Sequence, residues 1–276
     1  MWDFHKLGKV MENYSENLNR KVNPIIEFRN QAKNIFKSVK MIPLEKIERI
    51  NKGIIQTEED LEVFKVAIIE LGYPPHEDMD ITTMRNIAKS YTSDKESLFQ
   101  VIDQVMCHYY NNTFLSSMAK KWEYNNQIKD RLPILRNVIM AHNQGMYYVS
   151  IPAILSQFEG TLIDTFDIKG IVGGHIIKQL LRGLLVDNST DDFVNFDDGI
   201  YKYYEKNVLV RFNHGDEIES DISRHAILHG GDINYGKQAN SIKLILLFDY
   251  ISEKIKQIDK NIIHNVKEKI NRNKRR

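Results

Sequence analysis

Apolar residues recur along this chain at the three- and four-residue spacing of amphipathic helices. The clearest run consists of Leu61, Phe64, Ile68 and Leu71. Thr57 and Asp60 stand before that run as a capping box, with Asp in place of Glu, and they predict the start of the helix. Gly72, followed by two prolines, predicts its end.

The same spacing predicts further helices along most of the chain. Ser93 and Glu96 form a capping box at the start of one of them, and Pro152 is expected in the first turn of another. The other helices are expected at residues 25–40, 80–91, 113–122, 133–142, 151–167, 175–186 and 201–212. Alternating runs that indicate strands are few, and the best of them is 207–211. The sequence therefore predicts an all-α fold.

Composition excludes several classes of protein and site but does not indicate a function. The 276 residues carry 38 Lys or Arg against 37 Asp or Glu, so any nucleic-acid surface is a local patch on a nearly neutral protein. Cys107 is the single cysteine, which excludes an internal disulfide framework and a cysteine zinc cluster and favours the reducing cytoplasm. No apolar run is long enough for a membrane span, and we expect no membrane partner.

Two charged segments stand out from this background. Residues 187–198 hold five Asp and no cation, without the ligand spacing of a calcium loop, and we expect an exposed, solvated loop. Residues 267–276 hold six Lys or Arg and one Glu. This tail is typical of a solvated helix end, and it could also attract a phosphate backbone.

The segment from Ser223 to Gly231 carries the chemistry. Arg224 and His229 enclose four residues, and the diglycine that follows predicts a helix end with a left-handed glycine cap. A planar guanidinium suits phosphate oxygens, and an imidazole can move a proton. One permanent cation beside one imidazole is enough for RNA transesterification, which needs no metal and implies no cofactor.

Other interpretations of these residues stay open. His225 and His229 are four apart and could share a zinc ion, although the sequence places no third ligand. The two residues could also have a purely structural role, with His229 capping carbonyls and Arg224 pairing with Asp221 or Glu219. A nucleophilic role for Cys107 is disfavoured because its helix is apolar, which indicates a buried structural thiol.

Spacing limits how one chain can combine the two residues. Positions five apart lie about 140° apart around a helix, so Arg224 and His229 do not share a helical face. Either the helix starts or ends between them, or a second copy of the chain completes the site. A two-fold dimer would place two Arg and two His around one cleft.

The Arg-x4-His pattern, with the polar His225 after the Arg, resembles the signature of the HEPN superfamily of helical-bundle domains. The context from Tyr235-Gly236 through Asn240-Ser241 to Asp249-Tyr250-Ile251 is similar to the turn and last helix of such proteins. Upstream, the residues Arg131, Ala141-His142, Tyr147, Ile151-Pro152 and Gln157-x-Glu159-Gly160 resemble their first helices. The likeness covers about residues 130–260; Gly231 differs from the Tyr that the toxin branch often has at that position.

The resemblance implies a helical N-terminal region at 1–128, a HEPN-type bundle at 129–268 and a basic tail at 269–276. It implies a homodimeric endoribonuclease in phage defence or growth arrest, with RNA as substrate and a cognate antitoxin or phage-derived trigger as a possible partner. His229 is then the general acid or base, Arg224 the phosphate clamp and His225 a supporting residue. A non-catalytic dimeric module that binds RNA or a partner protein is the alternative.

Five further side chains outside the motif are candidates for a role at the site or in the core. Glu159 is an acid on an otherwise apolar helix, and we expect it to hold Arg224 or a histidine in place. His142 is expected to be a satisfied core or surface histidine. The aromatic cluster Tyr201, Tyr203 and Tyr204 could stack RNA bases, and core packing explains it equally well.

Overall fold

The computed structural model describes residues 44–187 and 195–274. Of these, 44–63 and 195 belong to one compact unit, and 64–187 with 196–274 belong to a second. The predicted border between 128 and 129 stays a prediction. The helix expected at 25–40 and residues 188–194 of the acidic loop lie outside the described residues.

The described residues form eleven α-helices and no strand, which confirms the all-α prediction. In chain order these are α1 (Leu44–Glu70), α2 (Ile81–Ser93), α3 (Lys95–Tyr109), α4 (Asn112–Ala119), α5 (Leu132–Asn143), α6 (Tyr147–Thr165), α7 (Gly174–Leu185), α8 (Asp197–Tyr203), α9 (Arg224–Leu228), α10 (Gln238–Lys256) and α11 (Lys260–Lys274). Two 3-10 helices, Lys120–Tyr124 and Lys129–Arg131, lie between α4 and α5, and a π-helical turn, Tyr204–Val208, follows α8.

The predicted start of the first helix was wrong. Helix α1 begins at Leu44, and the Thr57 hydroxyl donates to the carbonyl of Gly53 at 2.7 Å within it. Residues 44–56 contain no Pro and are mostly good helix formers, so nothing stops the helix before Thr57. The predicted end is confirmed, because Gly72 follows Glu70 closely with φ of +81°.

The capping box at Ser93 and Glu96 was also wrong. Ser93 is the last residue of α2, and the Asp94 carboxylate caps α3 by accepting from the Ser97 N–H at 3.1 Å. Asp is as good an N-cap as Ser, so the helix starts one residue later than the box indicates.

Pro152 lies inside α6 rather than in its first turn, because α6 already begins at Tyr147. Proline has no N–H, so the carbonyl of Tyr148 loses its helical donor. The Tyr235 hydroxyl donates to that carbonyl at 3.2 Å. The cost of the internal proline is therefore offset by a hydrogen bond from the segment that precedes α10.

The region from the acidic loop to residue 212 differs from its prediction in two ways. Asp197 is buried, and it accepts from the Tyr250 hydroxyl at 2.8 Å and pairs with Lys254 at 2.8 Å, so it is not part of a solvated loop. Regular structure ends at Val208, short of the expected Phe212, and the alternating run 207–211 forms no strand.

Helix α10 is buried on nearly every side, although it carries polar residues. Their side chains therefore need partners inside the protein. The Asn240 amide donates to two backbone carbonyls, the Ser241 hydroxyl bonds to His142 at 2.8 Å, and the Ser252 hydroxyl donates to the carbonyl of Asp249 at 2.9 Å. Helix α10 thus carries a set of satisfied polar contacts through the core.

Asp249 is the most connected of these side chains. It accepts from Trp122 Nε1 at 2.7 Å, and its other oxygen lies 3.1 Å from His76 Nε2. His76 Nδ1 accepts the N–H of Asp78 at 3.2 Å, so Nε2 carries the ring proton and donates to Asp249. The contact joins the segment after α1 and the 3-10 helix after α4 to the central helix.

None of the described helices combines the length with the apolar character that a bilayer crossing requires. The basic tail continues α11 as far as Lys274, and Lys267 and Lys269 pair there with Asp167 and Asp187. Those two cations therefore have carboxylate partners within the fold.

Replacing Asp249 by Ala leaves the buried Trp122 and His76 N–H groups without acceptors. We expect the free energy of unfolding to fall by about 3 kcal/mol. Urea unfolding followed by circular dichroism measures this loss. The control is Asp198→Ala, which removes an exposed carboxylate paired with Lys202 and should change stability by less than about 0.5 kcal/mol. Equal losses in both variants would contradict the assigned role of Asp249.

His142 predicts a pH dependence of stability. Burial lowers the pKa of His142 from 6.5 to about 4, so the unfolded chain binds this proton more tightly than the folded one. The contribution of His142 to the free energy of unfolding is fully present above the pKa of the unfolded chain. It is lost as the pH falls through the folded pKa, and this loss amounts to about 3 kcal/mol. We expect His142→Gln to flatten the decline in unfolding free energy over this interval, and an unchanged slope would contradict it.

Candidate active site

Ser223 is the N-cap of the short helix that carries the motif. Its buried hydroxyl accepts from the N–H of Ala226 at 3.3 Å and caps α9, of which Arg224 is the first residue. The Ser223 hydroxyl also lies 3.4 Å from the carbonyl of Val210. The Arg224 side chain therefore starts from a backbone position that is fixed by the helix cap.

The other end of α9 is closed by its glycines, as predicted. His229 is the C-cap, and Gly230 adopts the left-handed conformation with φ of +74°. The N–H of Gly230 bonds to Ile227 at 3.1 Å and that of Gly231 to Ala226 at 2.8 Å, which is the pattern of a Schellman motif. A side chain at Gly231 would meet the ring of Phe212 at 2.0 Å. His229 therefore projects from a closed turn.

Helix α10 holds the ends of this segment. The Asn240 side-chain amide donates to the carbonyl of Asp221 at 3.3 Å, before α9, and to that of Tyr235 at 3.0 Å, after it. Asp221 also pairs with Lys237 at 2.7 Å. One buried side chain thus fixes both flanks of the motif.

Arg224 pairs with Glu159 of α6, one of the two partners expected for this acid. Arg224 Nε and Glu159 Oε1 lie 2.6 Å apart, with the two side chains 24% and 15% exposed. Neither of these buried atoms has a well-aligned hydrogen bond in the described residues, so the contact is an ion pair held by charge.

The charge of Arg224 does not fully compensate the effect of burial on Glu159. Burial raises the pKa of the Glu159 carboxyl above its ordinary value, and the guanidinium of Arg224 offsets only part of the rise. The Tyr204 ring stacks on Phe158 beside Glu159, with ring centroids 4.6 Å apart, and forms an apolar wall. Arg224 therefore favours the ionised form of Glu159, against the effect of burial.

His225 and His229 lie one turn apart on the same side of α9. Their rings are nearly parallel, with centroids 5.8 Å apart and planes at 10°. Burial, Arg224 and His229 lower the pKa of His225, in that order of importance. His225 is half-buried and His229 is exposed.

Arg224 and His229 both reach the protein surface. Arg224 is partly accessible at the start of α9, and His229 is exposed at its end, so both border one surface turn. Several large apolar side chains around this turn are also exposed: Tyr148 and Val149 at the start of α6, Leu228 on α9, and Ile233 after it. Tyr148 and Tyr235 meet edge to face with centroids 5.2 Å apart.

In the described part of the chain, the side chains arranged as a metal cluster lie elsewhere. They are His76, Asp78 and Asp249, whose ligand atoms lie within 4.8 Å of one another. Both ring nitrogens of His76 are used within the fold, and Lys121 pairs with Asp78. This cluster is therefore a structural polar network, and the proposed zinc pair His225 and His229 gains no third ligand from it.

The remaining candidates lie in the core. His142 is a core histidine, as expected, but only its Nδ1 is satisfied, by Ser241; its buried Nε2 has no hydrogen-bond partner in the described residues. Cys107 is a half-buried thiol whose pKa is raised by burial. Tyr203 and Tyr204 are also buried, and the Tyr203 hydroxyl donates to the carbonyl of Gly72 at 3.0 Å. Core packing, and not base stacking, therefore accounts for these two rings.

Sequence reasoning missed the Tyr148 and Tyr235 contact beside the motif. Two signals for it are present in the chain. Pro152 inside a helix requires a donor for the carbonyl of Tyr148, and Gly236 allows the Tyr148 ring to lie against the backbone, where a Cβ would be 2.3 Å from the ring. Neither signal says which residues meet until the fold is known.

Comparison of the chain with protein-family models, with curated proteins and with solved structures gave no match.

Removing the guanidinium should expose the dependence of Glu159 on it. In Arg224→Ala the buried carboxylate loses its cation, its raised pKa rises further, and ionisation costs the folded state more as the pH increases. We expect the stability deficit of this variant to be roughly 2 kcal/mol larger at about pH 7.5 than at about pH 5. Adding Glu159→Gln should remove that pH dependence, and an equal deficit at both pH values would contradict it.

Proposed function

We propose that this chain is a metal-independent endoribonuclease of the HEPN type, which cleaves RNA as a homodimer. The observation that carries the proposal is the arrangement at α9, where Glu159 holds the partly exposed Arg224 side chain at one end and the exposed His229 imidazole projects from the other. The HEPN resemblance of the sequence around these residues supports the same assignment.

The reaction needs two proton transfers and stabilisation of negative charge. A proton must leave the ribose 2′-hydroxyl, a proton must reach the 5′-oxygen that departs, and negative charge must be stabilised on the phosphorus centre. Arg224 offers a permanent cation with a planar fork of donors. His229 offers an exposed imidazole, and the products are a 2′,3′-cyclic phosphate and a 5′-hydroxyl.

Geometry favours two copies of the chain. Arg224 and His229 are separated by about 7.5 Å along the helix axis and by about 140° around it. The apolar side chains exposed around this turn, such as Tyr148 and Ile233, offer a surface that a second copy could cover. A two-fold axis there would join the Arg224 of one protomer with the His229 of its partner in one cleft.

The cellular setting follows from the resemblance alone. It suggests phage defence or growth arrest in the cytoplasm, with an antitoxin or a phage-derived trigger as the controlling partner. A near-neutral protein with a local Arg and His site suits a substrate bound at one place rather than along a basic surface.

One observation favours the alternative of a non-catalytic binding module. The charge of Arg224 is already compensated by Glu159 at 2.6 Å, so the pair could serve the α6–α9 contact alone. In that case, the exposed apolar side chains would hold a partner while the motif closes the helix ends.

Cleavage assays decide between these functions. Purified full-length chain is incubated with labelled tRNA and total RNA in EDTA, and products are tested for 2′,3′-cyclic phosphate. We expect His229→Ala and Arg224→Lys to lower the cleavage rate by roughly 10²- to 10⁴-fold, since each removes a group that acts in the transition state. His264→Ala, on an exposed position of α11, is the matched control and should cleave normally.

The outcomes separate cleanly. Wild-type rates in both variants would contradict the assignment of Arg224 and His229. RNA binding without any cleavage by the unchanged chain would support the binding module instead. Sedimentation of the same samples tests the dimer, and a monomer that cleaves at full rate would contradict the composite site.

A further inference from the structure

Two imidazoles of one chain stand side by side at the motif. The rings of His225 and His229 are parallel to within 10° and their centroids lie 5.8 Å apart. Neither ring has a hydrogen-bond partner in the part of the chain that the structure describes. In contrast, His76 and His142 are held by Asp249 and Ser241. The ring nitrogens of the two motif histidines are therefore not occupied by hydrogen bonds within the described fold.

RNA transesterification moves two protons at two different oxygens. The 2′-oxygen attacks on one side of phosphorus while the 5′-oxygen departs on the other, and each needs its own proton-transfer group in a concerted step. A single imidazole serves only one of these oxygens at a time. Two parallel imidazoles one helical turn apart can present their edges to the same phosphate.

We propose that His225 and His229 of one protomer act together as the general base and the general acid of the cleavage step. This inference rests on the proposed ribonuclease function. His225 takes the proton of the 2′-hydroxyl as the 2′-oxygen forms its bond to phosphorus. His229 gives its proton to the 5′-oxygen as the phosphorus–oxygen bond breaks, and exchange with water then restores both rings.

The surroundings assign the roles. The charged and titratable groups that act on His225 are Arg224 and His229 on α9, and Arg224 is itself paired with Glu159 on α6. The nearby positive charge and burial favour the neutral ring, which is the form that accepts a proton. His229, the exposed ring at the C-cap of α9, is left for the second role.

The start of α7 lies beside this ring. A Cβ placed on Gly174 would lie 4.0 Å from His225 Nε2, which is an ordinary contact distance. The Nε2 atom is thus next to a backbone without a side chain rather than beneath a bulky neighbour.

A modified substrate separates base from acid. In an RNA oligonucleotide with a bridging sulfur at the 5′ position, the thiolate leaves without a proton, so a general acid is not needed. On ordinary RNA we expect both His225→Asn and His229→Asn to lose roughly 10²- to 10⁴-fold in rate. On the sulfur substrate His229→Asn should return to near the wild-type rate, while His225→Asn should stay slow.

The pH profile gives an independent readout. A general base acts only when it is unprotonated and a general acid only when it is protonated, so the wild-type rate should rise and then fall with pH, the rising limb belonging to the base and the falling limb to the acid. His225→Asn should lose the rising limb and keep the falling one. Loss of the falling limb in this variant would overturn the assigned roles.

Two further variants exclude a structural role. His225→Phe keeps an aromatic ring against His229, so a ring needed only for packing would leave the rate unchanged, whereas a lost base gives the same defect as His225→Asn. His264→Asn is the matched control and should cleave both substrates normally. Cleavage of ordinary RNA by His225→Asn or His225→Phe within about threefold of wild type would overturn the pair and leave the ribonuclease intact. An unchanged chain that cleaves neither substrate would overturn the ribonuclease and the pair together.

Discussion

The structure depends on a central helix that is buried on nearly all sides and yet carries polar side chains. Burying an unpartnered polar group costs more than the hydrogen bond gains, so α10 can form only when its neighbours are in register. Ser241 and Asp249 find those partners at least 91 residues earlier in the chain, and Asn240 finds one of its two partners at Asp221. Apolar packing alone would tolerate a helix that slides or rotates, and these contacts specify one arrangement.

The same constraint reaches the candidate site. The segment from residue 209 to the start of α10 has little regular structure, and its one helix is a single turn. Asn240 ties both flanks of that turn to the core, Ser223 and Gly230 close its ends, and Glu159 anchors its first side chain. The geometry of Arg224 and His229 is thus set by polar contacts from α6 and α10, which is how a short surface turn can hold a defined shape.

The sequence predicted what depends on local pattern. Helix positions followed from apolar spacing, and the glycine cap after His229 followed from the residues beside it. The helix starts at Thr57 and Ser93 were wrong because a capping pattern does not say whether a better start lies before or after it. Asp197 was assigned to a solvated loop because its partners, Tyr250 and Lys254, are about fifty residues later in the chain. The pairing of Glu159 with Arg224 was expected from the cost of burying an acid on an apolar helix, whereas the stacking of His225 on His229 required coordinates.

The glycines beside the motif bear on how the chain responds to random mutation. A side chain at Gly231 would overlap the ring of Phe212, and one at Gly236 would overlap the ring of Tyr148. A selection for loss of the proposed activity will therefore recover substitutions at these glycines together with those at Arg224 and His229. Hits at Gly231 and Gly236 report crowding of aromatic rings, and their clustering around His229 along the sequence is not by itself a map of the chemistry.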